Sequence, residues 1–400
     1  MKTKIQLFVA FLLLAVGALW LTSCSSEDAV QGSGSQADAS LTLTINTGKV
    51  GSRATAWTTD PAGSNKTQTE NKINRLTVGI FSSDGSTVKT IVELTPGQTG
   101  GNTLTADGTT AKIVTTSLAA NDKVLVAVNA PTGKFAGVAN ATAFKAVEED
   151  AKDALTDGSS EATEIATNVP MFGENTLSGT GSAFTANVSV QHQLAKITLD
   201  DLEVAFDANG PYKEAEFTPT EFFLVNVPEK LAFSSDAWVN GASHLHGMSS
   251  TTYSSLTAAT EWGTYKEYLS SAATGSTALK GTSATYASKS YFYVTPCDDA
   301  STNGKMKLII AGTFKTNSPD GGTTVFYPVA INAKYDAAGN ATAADGGTVF
   351  QVSPNKNYKC TVVIKTKGTT DPTKNLDPQT ATVNVTVTDF VEAKQTTTFE

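Results

Sequence analysis

The sequence predicts a mostly β protein made of two β-sandwich domains, of transthyretin-like or Greek-key type, with one short helix in the first domain. Short apolar segments separated by Pro, Gly and Asn recur along the chain, which is typical of sandwich strands. The composition is rich in Thr, Gly, Val and Ala, and only 17% of the 400 residues are charged. That balance favours sheets joined by polar loops over helix bundles.

The first residues predict an export signal that ends at a lipid-attachment site. Lys2 and Lys4 precede an apolar stretch, and Leu21-Thr22-Ser23-Cys24 closes it as a lipoprotein box. Residues 1–23 are therefore expected to be a removable signal peptide, after which the thiol of Cys24 carries acyl chains such as palmitate. The alternative is a transmembrane helix, because the stretch approaches the ~20 residues that cross a bilayer. No positive stop-transfer flank follows it, which favours the lipoprotein.

A tether and a single strand follow the lipid site. Residues 24–40 are small and polar and cannot bury enough apolar surface to order themselves. Leu41, Leu43 and Ile45 then alternate with Thr, the pattern of a strand with one buried face. A polar loop with a lone arginine comes after this strand.

The first domain is expected to span residues 54–190. Its hairpin is indicated by a turn at Asp84-Gly85 between two alternating segments. Its helix is indicated by apolar residues at helical spacing, among them Phe144 and Val147, with acidic residues on the other side. The predicted elements are strands at 73–81, 88–94, 124–128, 171–174 and 183–190, and a helix at 141–155.

The second domain is expected to span residues 191–366, with the boundary near 188–196. Its strands are predicted at 194–199, 222–227, 291–295, 306–314, 326–331 and 358–364. Residues 233–289 are rich in Ser, Thr and Ala and predict a long loop, a kind of segment that is normally either functional or mobile. This segment carries scattered aromatic residues: Trp238, Trp262, Tyr265 and Tyr268.

The last segment, residues 367–400, predicts a polar linker followed by a strand. The prolines of the linker favour an extended chain. In the strand Val383, Val385 and Val387 face one way and polar residues face the other, which repeats the apolar and Thr pattern of residues 41–45. The three valines could also complete the second sandwich as its last strand.

Composition and motifs exclude several classes of function. The net charge of -9 and the pI of about 5.0 argue against nucleic acid as a partner. No nucleophile elbow, phosphate loop or zinc-protease motif occurs, so we expect no enzyme and no cofactor, although scattered carboxylates leave a glycosidase formally open. His244 and His246 lack further ligands at metal spacing, so no metal is expected. Cys297 and Cys360 could form one disulfide or remain two buried thiols.

Six motifs follow one another along the chain. They are the lipoprotein box, the short strand followed by Arg53-Ala54, Pro-Met-Phe-Gly at 170–173, Gln-Leu-Ala-Lys-Ile-Thr at 193–198, Asn-Tyr-Lys-Cys-Thr-Val-Val-Ile at 357–364 and Val-Thr-Val-Thr-Asp-Phe at 385–390. In this order they resemble the fimbrillins, the pilus-shaft subunits of Bacteroidales. The resemblance covers the whole chain, and the order of the motifs rather than any one of them carries it. The chain departs from the family pattern at Phe390, where a Trp is usual, and the residue there is still an apolar ring.

The resemblance implies how the protein would assemble. Residues 24–53 would be a propeptide that a trypsin-like surface protease removes by cutting between Arg53 and Ala54. The departing strand, with Leu41, Leu43 and Ile45, would open a groove, and the strand with Val383, Val385 and Val387 of another copy would fill it. The precursor would sit on the outer membrane through its lipid, and the product would be a surface fimbrium that supports adhesion and biofilm formation. Its partners would be copies of itself and accessory anchor and tip subunits, with the adhesion ligands unknown.

Two other functions remain open at this point. One is a monomeric surface lipoprotein that binds a glycan or a host protein through the aromatic residues of 233–289. The other is the anchor subunit of the same pilus, which would keep its lipid and its first strand. A mature N-terminus at Cys24 would favour either of them over the shaft subunit.

Overall fold

The structure is a computed structural model that describes most of the chain after residue 37. The described residues are 38–47, 70–151, 168–234, 239, 243–249, 252–253, 262–298, 305–317, 319, 321–336, 338–373 and 381–389. They belong to one compact unit, Ala37–Glu400. The signal peptide, the lipid site and the predicted cleavage site lie outside the described residues. The domain boundary near residue 190 stays a prediction.

The first half of the described chain forms two five-stranded sheets. Their strand orders are β4-β5-β1-β10-β9 and β11-β8-β6-β2-β3. Between them lies an apolar core to which the alternating faces of β1, β5, β10 and β2 contribute. The elements in chain order are β1 (Ala39–Asn46), β2 (Leu76–Phe81), β3 (Val88–Leu94), β4 (Thr103–Leu104), β5 (Thr110–Thr115), β6 (Lys123–Val128), α1 (Ala141–Lys145), β7 (Glu148–Asp150), β8 (Met171–Thr176), β9 (Ser178–Thr180), β10 (Ala183–Ser189) and β11 (Gln191–His192).

The second half forms two larger sheets and shorter strand pairs. The elements are β12 (Ala195–Val204), β13 (Glu216–Val225), β14 (Val227–Pro228), β15 (Lys230–Ala232), β16 (His244–His246), β17 (Thr264–Tyr265), a 3₁₀ turn (Glu267–Leu269), β18 (Ser270–Ala272), β19 (Leu279–Lys280), β20 (Ala284–Tyr286), β21 (Ser290–Val294), β22 (Lys307–Lys315), β23 (Thr323–Ala330), β24 (Lys334–Tyr335), β25 (Ala341–Thr342), β26 (Lys356–Ile364) and β27 (Ala381–Asp389). One sheet runs β20-β12-β26-β27 with β21 also on β12, and the other runs β18-β13-β22-β23 with β19 also on β13. The largest apolar core of the chain lies between these two sheets.

The predicted sandwich architecture is confirmed. Strands dominate the described residues, and each pair of sheets encloses its own apolar core, as expected when alternating faces pack against each other. The hairpin β2–β3 forms around Gly85, whose positive φ of 81° a glycine adopts without strain. β6 has both faces buried, as its unbroken apolar run predicts.

The predicted helix at 141–155 is wrong beyond its first turn. α1 begins at its N-cap Asn140, whose side chain accepts a hydrogen bond from Ala143 N at 2.8 Å, and the helix ends at Lys145. Phe144 is buried, as the helical spacing suggested. Glu148–Asp150 instead form β7, which pairs with Lys230–Ala232, and that long-range ladder overrides the local helical pattern. Residues 152–155 lie outside the described residues.

The segment 233–289 is not the long structureless loop that its composition predicts. Its described residues include β16 to β20, and β18 and β19 pair with β13. Tyr253 and Trp262 are only 6% and 5% exposed and pack with Met248 on the side of β13 and β22 that faces away from the main core. This sheet is therefore covered on both faces. Trp238 lies outside the described residues.

Within the described part of the chain, no helix is long and apolar enough to cross a membrane.

Candidate functional site

The first strand, β1, lies at the centre of its sheet rather than at an edge. It runs parallel to β10 and antiparallel to β5, with Leu43 opposite both Ala186 and Ala111. The sheet order has β5 and β10 on opposite sides of β1, so they do not pair with each other. Removing β1 would divide the sheet and leave two unpaired strand edges facing one another. We call the space that β1 occupies between β5 and β10 the acceptor groove.

The side chains of β1 fill this groove completely on one face. Leu41 and Leu43 are 0% exposed, Ile45 is 2% exposed and Ala39 is 4% exposed, whereas Thr42 is exposed. The sequence prediction of a half-buried strand is thus confirmed. Fully burying one such leucine or isoleucine contributes roughly 1.5–3 kcal/mol, so β1 is a substantial part of the core.

The described residues on either side of the segment 48–69 lie close to each other. Where β1 ends, the carbonyl of Asn46 accepts a hydrogen bond from Val190 N at 2.8 Å. The described chain resumes at Glu70, whose backbone oxygen lies 3.1 Å from Nε2 of His192. Both ends of the intervening segment are therefore held next to the same short stretch, 190–192. Arg53 and Ala54 lie within that segment and outside the described residues, so the cleavage site stays a prediction.

The return point is fixed by a buried polar cluster, which we call the Glu70 cluster: Glu70, His192, Lys196 and Tyr293. The Glu70 carboxylate accepts hydrogen bonds from Lys196 Nζ at 2.8 Å and from the Tyr293 hydroxyl. Lys196 Nζ also lies 4.4 Å from the centre of the Tyr291 ring, a cation–π distance. Burial lowers the pKa of His192 below its ordinary value, although the Glu70 charge opposes the shift. The cluster thus holds the chain in place after the segment that carries Arg53.

The last described strand, β27, lies at the edge of a sheet of the second sandwich. It pairs antiparallel with β26 alone, and Val385 stands opposite Cys360. Val385 is 0% exposed, and Val383 and Val387 are half-buried against the same core. The structure thus places the predicted strand where it completes the second sandwich. It describes a single copy of the chain, so donation to another copy stays a prediction.

The predicted linker before β27 is partly docked. Thr369 pairs with Phe326 on the outer edge of β23 through two backbone hydrogen bonds of 2.7 and 3.1 Å. The Tyr327 hydroxyl donates to Thr366 O at 2.9 Å and accepts from Gly368 N at 3.0 Å. Gly368 has to lack a side chain here, because a Cβ would lie 2.7 Å from Phe326 O. Residues 366–369 are therefore attached to the sheet that contains β23, whereas β27 belongs to the other sheet of the same sandwich.

Cys297 and Cys360, the two described cysteines, are buried and form no disulfide with each other. The backbone of Cys297 forms an isolated β-bridge with Val352. Cys360 lies in β26, opposite Val385 of the neighbouring strand β27. Burial raises the pKa of the Cys360 thiol to about 12, which keeps it protonated. The sequence allowed either one disulfide or two buried thiols, and the structure agrees with two buried thiols. Cys24 lies outside the described residues.

The histidine pair shows no metal-site geometry. His246 is buried, with its ring centre 6.2 Å from that of Trp262 and 6.1 Å from that of Tyr265, while His244 is half-buried. No group of three or more His, Cys, Asp or Glu side chains with metal-binding geometry occurs among the residues that the structure describes.

The Glu70 cluster and the Tyr327 contact were not predicted from the sequence. Glu70 is separated from Lys196 by 126 positions and Tyr327 from Gly368 by 41 positions, so no local pattern links them. A carboxylate and a lysine in polar segments are ordinarily solvated surface charges, and only the fold shows that these two are buried.

Comparison with known proteins finds similarity to fimbrial proteins in sequence over part of the chain and in fold over most of it. Residues 39–202 match the family model described as the major fimbrial subunit protein FimA. No curated protein matches the sequence. Among solved structures, a fimbrilin of Porphyromonas gingivalis W83 superposes with a TM-score of 0.58 at 19% identity, covering 89% of this chain and 99% of that one.

Two further structures have the same fold. A protein of Bacteroides eggerthii assigned to cell adhesion gives a TM-score of 0.57 at 21% identity, covering 88% of this chain and 96% of that one. A second protein assigned to cell adhesion, from Parabacteroides distasonis, gives a TM-score of 0.58 at 16% identity, covering 88% and 99% of the two chains. At these identities the likeness shows a shared fold.

Proposed function

We propose, on the basis of the fimbrillin resemblance, which the match to the FimA family model and the shared fold support, that this chain is a shaft subunit of a fimbrium and polymerises by strand exchange. It is exported as a lipoprotein through Cys24 and is cleaved after Arg53. It loses β1 and receives β27 of a neighbouring copy in the acceptor groove. The observation that carries the proposal is the central position of β1, whose removal would leave one edge of β5 and one edge of β10 without a partner strand.

The exchange is favoured because β27 gains a neighbouring strand. In its own sheet β27 has one neighbour, β26, whereas the acceptor groove offers two, β5 and β10. Leaving exposes one edge of β26, and entering closes two edges of the groove. Each buried valine contributes roughly 1.5–3 kcal/mol in the groove before ordering costs. The gain in backbone pairing therefore favours the polymer over cleaved single subunits.

In the proposal, cleavage determines when β27 of a neighbouring copy can enter the acceptor groove. While β1 is covalently attached, its effective concentration at the groove is on the order of millimolar, so a second chain cannot compete. A cut in the segment between Asn46 and Glu70 lets β1 dissociate, while the Glu70 cluster holds the remaining chain in place. Because the donor strand and the groove belong to different surfaces of the chain, each addition leaves one open groove, and a filament grows.

The experiment that tests cleavage replaces the predicted cut site. We expect cells that express Arg53→Ala to hold a lipidated monomer at the membrane and to form no filaments, as judged by electron microscopy and by N-terminal sequencing of sheared protein. Lys49→Ala, which removes another basic residue of the same loop, is the matched control and should assemble normally. Normal filaments from Arg53→Ala would overturn the cleavage step.

Deleting residues 379–400 tests the donor independently. The truncated chain keeps the groove and the cleavage site but lacks β27, so we expect cleavage without elongation. Long fibres from this chain would rule out β27 as the donor.

The N-terminal residue of the mature protein distinguishes this proposal from the two other functions. A start at Ala54 supports the shaft subunit, whereas a lipid-blocked Cys24 supports the anchor subunit or a monomeric lipoprotein. The glycan-binding alternative would depend on Tyr265, which is 43% exposed, because Trp262 and Tyr253 are buried in the core and offer no stacking platform.

A further inference from the structure

The buried residues of β1 and the aliphatic residues of β27 follow the same spacing along their strands. Ala39, Leu41, Leu43 and Ile45 are the buried residues of β1. In β27 the corresponding series is Ala381, Val383, Val385 and Val387. In both strands a single Ala precedes three larger aliphatic residues, and polar residues occupy every intervening position.

We infer, on the basis of the proposed function, that a neighbour's β27 enters the acceptor groove in the same direction as β1 and without a register shift. Ala381 then takes the place of Ala39, and Val383, Val385 and Val387 take the places of Leu41, Leu43 and Ile45. The partner is a second copy of this chain, held parallel to β10 and antiparallel to β5, as β1 is.

A shift of two residues in either direction fits the groove less well. Shifting β27 so that Val385 meets the Leu41 position brings Asp389 to the Ile45 position, where the native side chain is 2% exposed. Burying an ionised carboxylate without a partner is strongly unfavourable. Shifting it the other way brings Ala381 to the Leu41 position, which is 0% exposed, and leaves that pocket largely empty.

The opposite strand direction is excluded by the fit at the Ala39 and Leu41 positions. If β27 ran in reverse with Val385 still at the Leu43 position, Asp389 would reach the Ala39 position, which is 4% exposed. Reversed and shifted by two, the strand would bring either Asp389 to the Leu41 position or Val387 to the small Ala39 position. Only the parallel, unshifted arrangement matches a small residue to the small pocket and keeps Asp389 beyond the groove.

The outward faces define pairs that can be measured. Thr42 of β1 stands opposite Lys112 of β5, and Thr44 stands opposite Thr110. In the inferred arrangement Asn384 therefore stands opposite Lys112 of the receiving copy. Thr386 stands opposite Thr110 in the same way.

The experiment is disulfide cross-linking in filaments with paired cysteines on this outward face. Directly opposite residues of an antiparallel pair have Cα atoms about 4.5–5.5 Å apart, within the disulfide range, whereas diagonal pairs are about 7–8 Å apart. We expect Lys112→Cys/Asn384→Cys and Thr110→Cys/Thr386→Cys to form intermolecular disulfide ladders on non-reducing gels. The matched controls are Lys112→Cys/Thr386→Cys, Lys112→Cys/Thr382→Cys, Thr110→Cys/Asn384→Cys and each single cysteine, which should form at least tenfold less.

The other outcomes separate this inference from the proposed function. Cross-linking in Lys112→Cys/Thr386→Cys together with Thr110→Cys/Asn384→Cys would show a reversed strand, and cross-linking in Lys112→Cys/Thr382→Cys would show a shifted one. Either result would overturn the register while supporting strand exchange. Filaments that cross-link in none of these pairs would overturn both the register and the insertion of β27 beside β5.

Discussion

Single residues hold the two ends of the segment between Asn46 and Glu70 in place, and Glu70 is one of them. Its carboxylate pairs with Lys196 at 2.8 Å, and the two side chains are only 7% and 8% exposed. The Tyr293 hydroxyl donates to the same carboxylate. A buried pair of this kind adds little net stability compared with apolar residues, but loss of one partner leaves an uncompensated buried charge.

We therefore expect Glu70→Gln to lower the free energy of unfolding by about 3–5 kcal/mol in urea titrations. The matched control is Asp150→Asn, which breaks the Lys230–Asp150 pair at 3.7 Å, where both side chains are more than two-fifths exposed. That change should cost less than about 1 kcal/mol. Adding Lys196→Met to Glu70→Gln should restore part of the loss, because the unpaired charge is then gone. Equal effects of Glu70→Gln and Asp150→Asn would contradict the buried-pair interpretation.

At the scale of elements, the two terminal strands differ in how they are held. β1 has a neighbour on each side, whereas β27 has one neighbour and is preceded by residues 366–369, which dock on β23. If β27 leaves, Tyr327 and Gly368 can still hold the chain to the second sandwich. In the proposed exchange, β27 would then move while residues 366–369 stay docked.

The alkylation rate of the Cys360 thiol should report whether β27 covers it. This thiol is 0% exposed and lies opposite Val385, and burial raises its pKa to about 12. Removing residues 374–400 should expose Cys360 to water and raise its rate of alkylation at pH 8 by at least about tenfold, because the thiolate is the reactive species. The rate is measured by mass spectrometry on Cys24→Ser chains with and without the deletion. Cys297, whose bridge to Val352 does not involve β27, is the internal control. An unchanged Cys360 rate would show that β27 does not shield it.

At the scale of the whole molecule, one chain carries both halves of the proposed contact. An uncleaved copy keeps its own groove filled by β1 and still has β27 at an edge. Under the proposed exchange, such a copy would donate a strand but would not accept one. It would therefore end a filament rather than simply fail to join it.

This asymmetry predicts that purified Arg53→Ala chain, added at about one part in ten to cleaved wild-type subunits, shortens the filaments several-fold. Filament length is measured by electron microscopy at a fixed total concentration. The Arg53→Ala chain that also lacks residues 379–400 has neither an open groove nor a donor and should leave the length unchanged. If both chains shorten filaments equally, donation by β27 is not the cause.

The sequence by itself determined the strands whose apolar residues alternate or run unbroken. β1, β2, β6, β12 and β26 form where their patterns predict them, because the period of side chains along a strand is a local property. The sandwich architecture also follows from the spacing of such segments, and the fimbrillin resemblance follows from the order of the motifs. The same local reasoning failed at β7 and across 233–289, where the conformation depends on partners far along the chain.

Only the tertiary structure decided which strand is central, which is at an edge and which polar residues are buried. The terminal strands look alike in sequence, yet β1 lies between two neighbours and β27 beside one. The Glu70 cluster and the docking of residues 366–369 join residues that are distant in the chain. Pairing and burial are properties of the assembled sheets, because each depends on what the rest of the chain brings alongside, so no single segment could reveal them.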